Sequence, residues 1–331
     1  MSDLPTLVFI PGAWHRPTCY DKITKVLQNQ HSLRCVSVTL PSTTGNPAAT
    51  FKDDLDAARD AIVAETMHHR NAVVIAHSYG GMVANSAIKG FTLPEPGDIT
   101  APASPSPSQA AQPPKTTGHV IGLILIASGF TMTGLTFMDP FFGRPPPSWR
   151  VNNTTGYAEL VASPREFFYH DLPDAEAEFW VSQLMPQSLK ALFEGGEHTY
   201  SGWRDVPVWY IGTIEDRGLP VLAQRMAVGM AREMGGRVEH RELETSHSPF
   251  LSQPGVTAML IWEAVGAFVG KPAGNETTMS RSDSAVVVPK STIWQLSTWF
   301  RFGLPLAFGH ILGRGILLYK GVKRLWGAGS I

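Results

Sequence analysis

Ala72-Val73-Val74-Ile75-Ala76 runs without a spacer into His77-Ser78-Tyr79-Gly80-Gly81, and from there into Met82, Val83, Ala84 and Ala87. No other stretch restricts the fold so tightly. A short run that is apolar at every position reads as a strand covered on both faces, which is the habit of parallel sheets. The helix pattern begins so soon afterwards that the turn between them must be sharp. A serine at such an apex projects its hydroxyl above the end of the sheet. Small residues must flank it because the two backbones approach closely. The helix N-terminus behind it favours developing negative charge. The alternative is an ordinary N-capping serine. The usual pattern, G-x-S-x-G, is met except at its first position, which holds Ala76.

The surrounding chain repeats the alternation. Thr6-Leu7-Val8-Phe9-Ile10, ended by Pro11-Gly12, and Cys35 to Leu40, ended by Pro41, read as strands. Residues 18–30 and 51–66 have helical spacing between them. His119 to Ala127, Val206 to Ile211 and Arg237 to Leu243 read as further strands, and residues 254–269 as a closing helix. Strands alternating with helices predict a layered α/β fold with a mostly parallel central sheet. Two segments break the rhythm. Residues 92–118 hold seven prolines in 27 positions and are expected to be a disordered insertion. Residues 130–204 are aromatic-rich and irregular, and are expected to form a cap between sheet strands.

A hydroxyl needs a general base to become a nucleophile, and the base needs an acid to orient it. Thr213-Ile214-Glu215-Asp216-Arg217 follows the strand ending near Ile211. Glu244-Thr245-Ser246-His247-Ser248 follows the last strand. The order Ser, acid, His matches a serine hydrolase built on an α/β sheet. The candidate triad is therefore Ser78, Asp216 and His247, with Glu215 as the second choice of acid and an ion pair with Arg217 as the structural alternative for Asp216. His77 is expected to pack or hydrogen-bond locally, and His240 to be a strand residue. An oxyanion needs two preorganised donors. The Tyr79 N–H and the Ala13 N–H, in Pro11-Gly12-Ala13-Trp14-His15, are the candidates. Trp14, Phe141, Phe142 and Trp149 are expected to bind substrate, within an apolar pocket to which Phe167, Phe168, Tyr169 and Trp180 are also assigned.

Val8 to His15, Ala76 to Gly81, Thr213 to Pro220 and Ser246-His247-Ser248-Pro249-Phe250 together resemble the α/β-hydrolase superfamily over residues 5–270. The resemblance is strongest to its small esterase branch, which includes plant methyl esterases and hydroxynitrile lyases. It implies the triad and oxyanion hole just given. Hydroxynitrile lyases carry a Lys after the catalytic His and a Thr in the first loop. This chain has Ser248 and Gly12 there, so cyanohydrin cleavage is not expected. The expected reaction is cleavage of an ester, lactone or thioester of a small-to-medium apolar substrate through an acyl-enzyme on Ser78. The alternative keeps the fold and uses the site as a proton shuttle for cyclisation, condensation or elimination on a polyketide-like intermediate. A non-catalytic binding protein is the weakest reading. No H-E-x-x-H, paired C-x-x-C or G-x-G-x-x-G is present, so no metal or cofactor is expected.

Charge narrows the partners. A net of −1 leaves no overall basic footprint for nucleic acid. Cys19 and Cys35 are too few for a disulfide scaffold. Met1-Ser2-Asp3-Leu4-Pro5 lacks the basic-then-apolar pattern of a secretory signal, so a cytoplasmic enzyme is expected. The charge is uneven, however. Residues 271–331 hold eight Lys/Arg against two Asp/Glu, whereas the rest hold 19 against 26. Residues 271–291 are expected to be a linker, and 292–331 a basic apolar tail. Phe302 to Tyr319 is 18 residues long but contains Pro305, His310, Arg314 and four glycines. An interfacial helix in peripheral contact with a membrane fits that better than a span. Folding back onto the body, or onto a protein partner, is the alternative.

Overall fold

The structure is a computed structural model that describes residues 4–93, 118–270, 286–290 and 296–328. The body alternates β1 (Thr6–Ile10), α1 (Asp21–His31), β2 (Cys35–Ser37), α2 (Phe51–Thr66), β3 (Ala72–His77), α3 (Gly80–Ala87) and β4 (Val120–Ile126). Local signals set these elements. Thr50 and Asp53 form a capping box on α2, which satisfies donors the first turn leaves open. Ser32 ends α1 in a left-handed conformation, as αL C-caps do.

Between β4 and the next sheet strand lie β5 (Trp149–Asn152), β6 (Tyr157–Leu160), α4 (Pro164–Phe168), α5 (Asp174–Ser182), β7 (Gln187–Ser188) and α6 (Leu189–Phe193). β5, β6 and β7 make a small antiparallel sheet of their own. The main sheet then resumes with β8 (Val208–Thr213), α7 (Val221–Glu233), β9 (Val238–Leu243), α8 (Pro249–Ser252) and α9 (Pro254–Phe268).

The seven-stranded sheet has the order β2-β1-β3-β4-β8-β9 followed by an edge strand, β10 (Val286–Val287). All pairings are parallel except that of β10 with β9. The mostly parallel α/β sheet read from the sequence is borne out. Its central strands are buried at every position of β1 and β3. From β1 the chain goes first to β2 on one side and then to β3 on the other. Connections leaving β1 and β3 therefore diverge, opening a crevice at their carboxyl ends.

The expected insertion at 92–118 lies almost wholly outside the described residues, as do 271–285 and 291 of the expected linker. Val286 and Val287 correct that linker reading: they pair with Leu243 and Glu242 and extend the sheet. Beyond them come α10 (Leu296–Thr298), a π-helical turn (Trp299–Gly303) and α11 (Leu304–Ala328). Pro305 follows the π-helical turn directly within one continuous helical run, the kind of local irregularity at which a helix accommodates a residue without an N–H.

Candidate active site

Four loops meet at the carboxyl ends of parallel strands: 11–15 after β1, 78–79 after β3, 214–220 after β8 and 244–248 after β9. Ser78 has φ of +51°, a left-handed backbone held against its ordinary cost. Its carbonyl accepts from Ser128 Oγ at 2.7 Å and its N–H donates to the Ile126 carbonyl at 3.1 Å, both anchors lying on or just after β4. Gly80 shows why the turn needs a small residue. A Cβ there would sit well inside contact distance of the Pro11 and Ile10 carbonyls. The elbow and the first loop are thus pressed together, backbone on backbone.

His247 is buried, and its Nδ1 lies 2.7 Å from Asp216 Oδ2. A carboxylate can only accept, so Nδ1 carries the proton and Nε2 is left as a base. Asp216 is itself fully engaged. Thr213 Oγ1 donates to it at 2.6 Å, the Gly218 and Leu219 N–H groups at 2.7 Å each, and Gln224 Nε2 at 3.2 Å. Glu215 is instead half-exposed and 3.9 Å from His170, and Arg217 pairs with Glu166 rather than with Asp216.

Two further histidines stand behind the site. His77 Nε2 donates to the His247 carbonyl at 2.9 Å, and the rings lie 4.6 Å apart. The contact spans 170 residues, so the packing and hydrogen bonding expected of His77 tie the elbow to the loop that carries His247. His15 Nδ1 lies 2.7 Å from the Ala13 carbonyl, and its Nε2 is 2.8 Å from Tyr169 Oη. Because the carbonyl can only accept, Nδ1 donates to it and Nε2 accepts from Tyr169. Burial lowers His15 to about 4 and His77 further below its usual value. Both imidazoles are therefore held neutral by burial, and His77 Nδ1 has no hydrogen-bond partner among the described residues.

The first loop is tied to the cap from both sides. Trp14 Nε1 donates to the Ala158 carbonyl at 3.0 Å, and the Met185 N–H donates to the Trp14 carbonyl at 2.8 Å. Neither the Ala13 nor the Tyr79 N–H is spent on a turn or cap hydrogen bond among the described residues. The Tyr79 side chain runs the other way. Its hydroxyl donates to Asp54 Oδ2 at 2.8 Å, while the Ser42 N–H donates to Oδ1 at 2.9 Å. Burial pushes the Asp54 carboxyl up to about 6.

The expected substrate residues divide. Trp14 and Trp149 are buried and meet edge to face at 6.1 Å, and Trp149 packs on Phe193. Phe193 also lines a groove of about 410 Å³ with Pro47, Val151 and Leu189, away from Ser78. Phe142 is 92% exposed. That corrects its assignment to a pocket wall, because a ring so placed touches almost nothing. Phe141 is partly exposed and packs beside Phe137, whose ring lies 5.5 Å from that of Tyr79 on the side away from the triad. Phe168 and Phe167 approach His247 directly, at 5.8 and 6.4 Å. Sequence reading missed Thr213, Gln224, Asp54 and Phe137. Nothing in their local pattern marks them, since each acts through a fold-level contact.

Comparison with known proteins gives the family and the fold. Residues 7–260 match the alpha/beta hydrolase family. The chain is 25% identical over 267 residues to the alpha/beta hydrolase nvfD of Aspergillus novofumigatus, covering 79% of this chain and 97% of that one. Polyneuridine aldehyde esterase superposes with a TM-score of 0.59 at 17% identity, covering 79% of this chain and 99% of that structure. Methylketone synthase I of tomato, solved with 2-tridecanone, gives 0.59 at 13% identity, covering 80% and 99%. At these identities the two structures speak to the fold.

Proposed function

The chain belongs to the alpha/beta hydrolase family and is an enzyme of the hydrolase class, and from that premise we propose that it cleaves a carboxylic ester, lactone or thioester of a small-to-medium apolar substrate through an acyl-enzyme on Ser78. The observation that carries the reading is the buried 2.7 Å contact between His247 Nδ1 and Asp216, at the carboxyl end of a sheet that also holds there a serine in a strained left-handed turn.

In this mechanism Ser78 Oγ attacks the substrate carbonyl carbon as its proton passes to His247 Nε2. Asp216 holds the resulting imidazolium by its Nδ1–H. The oxyanion accepts from the Ala13 and Tyr79 N–H groups. Collapse of the intermediate expels the alcohol or thiol with the proton from His247. Water then enters, loses its proton to the same nitrogen, and releases the acid and Ser78. The aromatic cap residues around His247 suit an apolar acyl group.

The test is turnover of a panel of p-nitrophenyl and methyl esters by the wild type and by Ser78→Ala. The expected loss in kcat is on the order of 10⁴-fold or more, with an unchanged circular dichroism spectrum. Equal turnover in Ser78→Ala would overturn the reading. A well-folded wild type inert on every ester would favour the proton-shuttle alternative.

A further inference from the structure

The tail is amphipathic across its width, and its two faces have different partners. The inner face of α11 lies on α7. Gly309 and Gly313 lie so close to the backbone of Met226 and Met230, and Gly229 to that of Leu306, that a Cβ at any of the three would collide. His310 Nδ1 and Arg314 Nε reach Glu233 at 3.0 and 2.9 Å. At the start of the tail, Arg225 donates to the Arg301 carbonyl at 2.8 Å, and its guanidinium lies 4.7 Å over the Phe302 ring. The pairing runs in register from Arg225 with Arg301 to Glu233 with Arg314, so the two helices are parallel. The glycines that look like helix breakers in the sequence are the contact surface.

Among the described residues the outer face has no partner. Leu304, Phe308, Ile311 and Leu318 follow helical spacing and are exposed, Phe308 by 58% and Ile311 by 68%. Trp299–Tyr319 has a mean hydropathy of 1.3 and only 22% of its apolar window is buried. Residues 296–328 contain five Lys/Arg and no Asp/Glu, on a chain whose first 270 residues are acidic. We propose that this face rests in the plane of an anionic bilayer, as a monotopic surface rather than a span. An apolar strip whose sequence runs on into Lys320, Lys323 and Arg324 complements acyl chains bounded by anionic headgroups. A span would need α11 to leave α7 and expose its glycine-lined backbone.

The parallel pairing also sets the orientation. α7 starts at the loop that carries Asp216, and Arg301 lies 3.9 Å from Glu244 in the loop that carries His247. The exposed Phe300 and Leu304 therefore sit at the end of the molecule where the candidate triad opens. A bilayer on this face would deliver an apolar substrate beside the site.

The experiment is flotation of the full chain with vesicles of phosphatidylcholine alone and of phosphatidylcholine with phosphatidylserine, together with light scattering of the free protein. The expected result is co-flotation with the phosphatidylserine vesicles, weakened by salt and removed by alkaline carbonate. F308E/I311E, whose side chains touch no catalytic residue, should bind at least about tenfold more weakly with an unchanged melting temperature. Failure of the wild type to float, or resistance to carbonate extraction, overturns the proposal. So does a dimer that F308E/I311E converts to monomers without any vesicle binding, which would make a second copy the occupant of the face.

Discussion

The nucleophile elbow and the tail clasp use one device, a glycine that lets backbone touch backbone. At the elbow, Gly80 admits the Pro11 carbonyl; at the clasp, Gly309 admits the Met226 carbonyl. They differ in what the close approach serves. At the elbow it presses two loops together around a serine held at φ of +51°, so its precision is chemical. At the clasp it seats one helix on another, so its precision is only packing. The same steric demand therefore yields reactivity where the chain turns and adhesion where it runs straight.

The comparison predicts that substitutions at the site move kcat while those at the clasp move stability and membrane partition. Asp216→Asn should give the largest effect. It removes the acceptor that fixes the His247 tautomer, and a fall in kcat on the order of 10⁴-fold is expected, with a lowered melting temperature because the amide nitrogen cannot accept from the donors on the oxygen it replaces. Glu215→Gln, at a half-exposed carboxylate with no contact to His247, should stay within about twofold. Steady-state kinetics on one activated ester separates them. If Glu215→Gln fell as far as Asp216→Asn, the acid would be misassigned.

A matched pair of glycines tests the shared device. Gly80→Ala and Gly309→Ala each add one methyl against a backbone carbonyl that has no room to yield, an overpacking cost of about 1–3 kcal/mol or more. Gly80→Ala is expected to lower both the melting temperature and kcat, the latter by at least about 100-fold, because the elbow must open to accept it. Gly309→Ala should lower the melting temperature and make the tail sensitive to protease while leaving kcat on a soluble ester within about threefold. Thermal melts, limited proteolysis and kinetics on both variants settle this. A collapse of kcat in Gly309→Ala would erase the distinction between the regions, and would implicate the route from the clasp through Arg225 to its neighbour Gln224 and on to Asp216.

That pair also marks where sequence reading ended. The elbow was legible because its meaning is local: an apolar strand, a serine and two glycines within ten residues have few structural solutions. Ser78, His247 and Asp216 are legible as candidates because each follows a recognisable strand. Gly309 and Gly313 look like defects in a span when only the sequence is considered, because the surface that needs them, on α7, lies some eighty residues earlier. Phe142 was assigned to a pocket from its type alone and is exposed to solvent. Asp54, Thr213 and Gln224 were invisible for the same reason in reverse. They are polar residues of α2, β8 and α7 whose targets exist only once the sheet is assembled.

The smallest effect concerns charge, where the two regions again part. The clasp pairs its buried ion: Arg225 meets Glu242 with two contacts of 2.7 Å. The elbow keeps a buried carboxylate, Asp54, with only hydrogen bonds for company, and its pKa rises to about 6 in consequence. The sign of the effect follows from which state holds the proton. Below about pH 4 the carboxyl is protonated in both folded and unfolded chains and contributes nothing. Between about 4 and 6 the unfolded chain releases the proton while the native one keeps it, so stability falls as pH rises. Above about 6 the full penalty of roughly 3 kcal/mol is in place and the curve is flat. Asp54→Asn removes the ionisation. Its oxygen accepts from the Ser42 N–H, and its amide donates to the Tyr79 hydroxyl oxygen. The variant should therefore gain on the wild type as pH rises from 4 to 7, by up to about 3 kcal/mol, with kcat changed only a few-fold because the Tyr79 N–H is untouched. Denaturant melts of both proteins across that range measure it, and parallel curves would mean that Asp54 titrates in the folded protein as it does in the unfolded one.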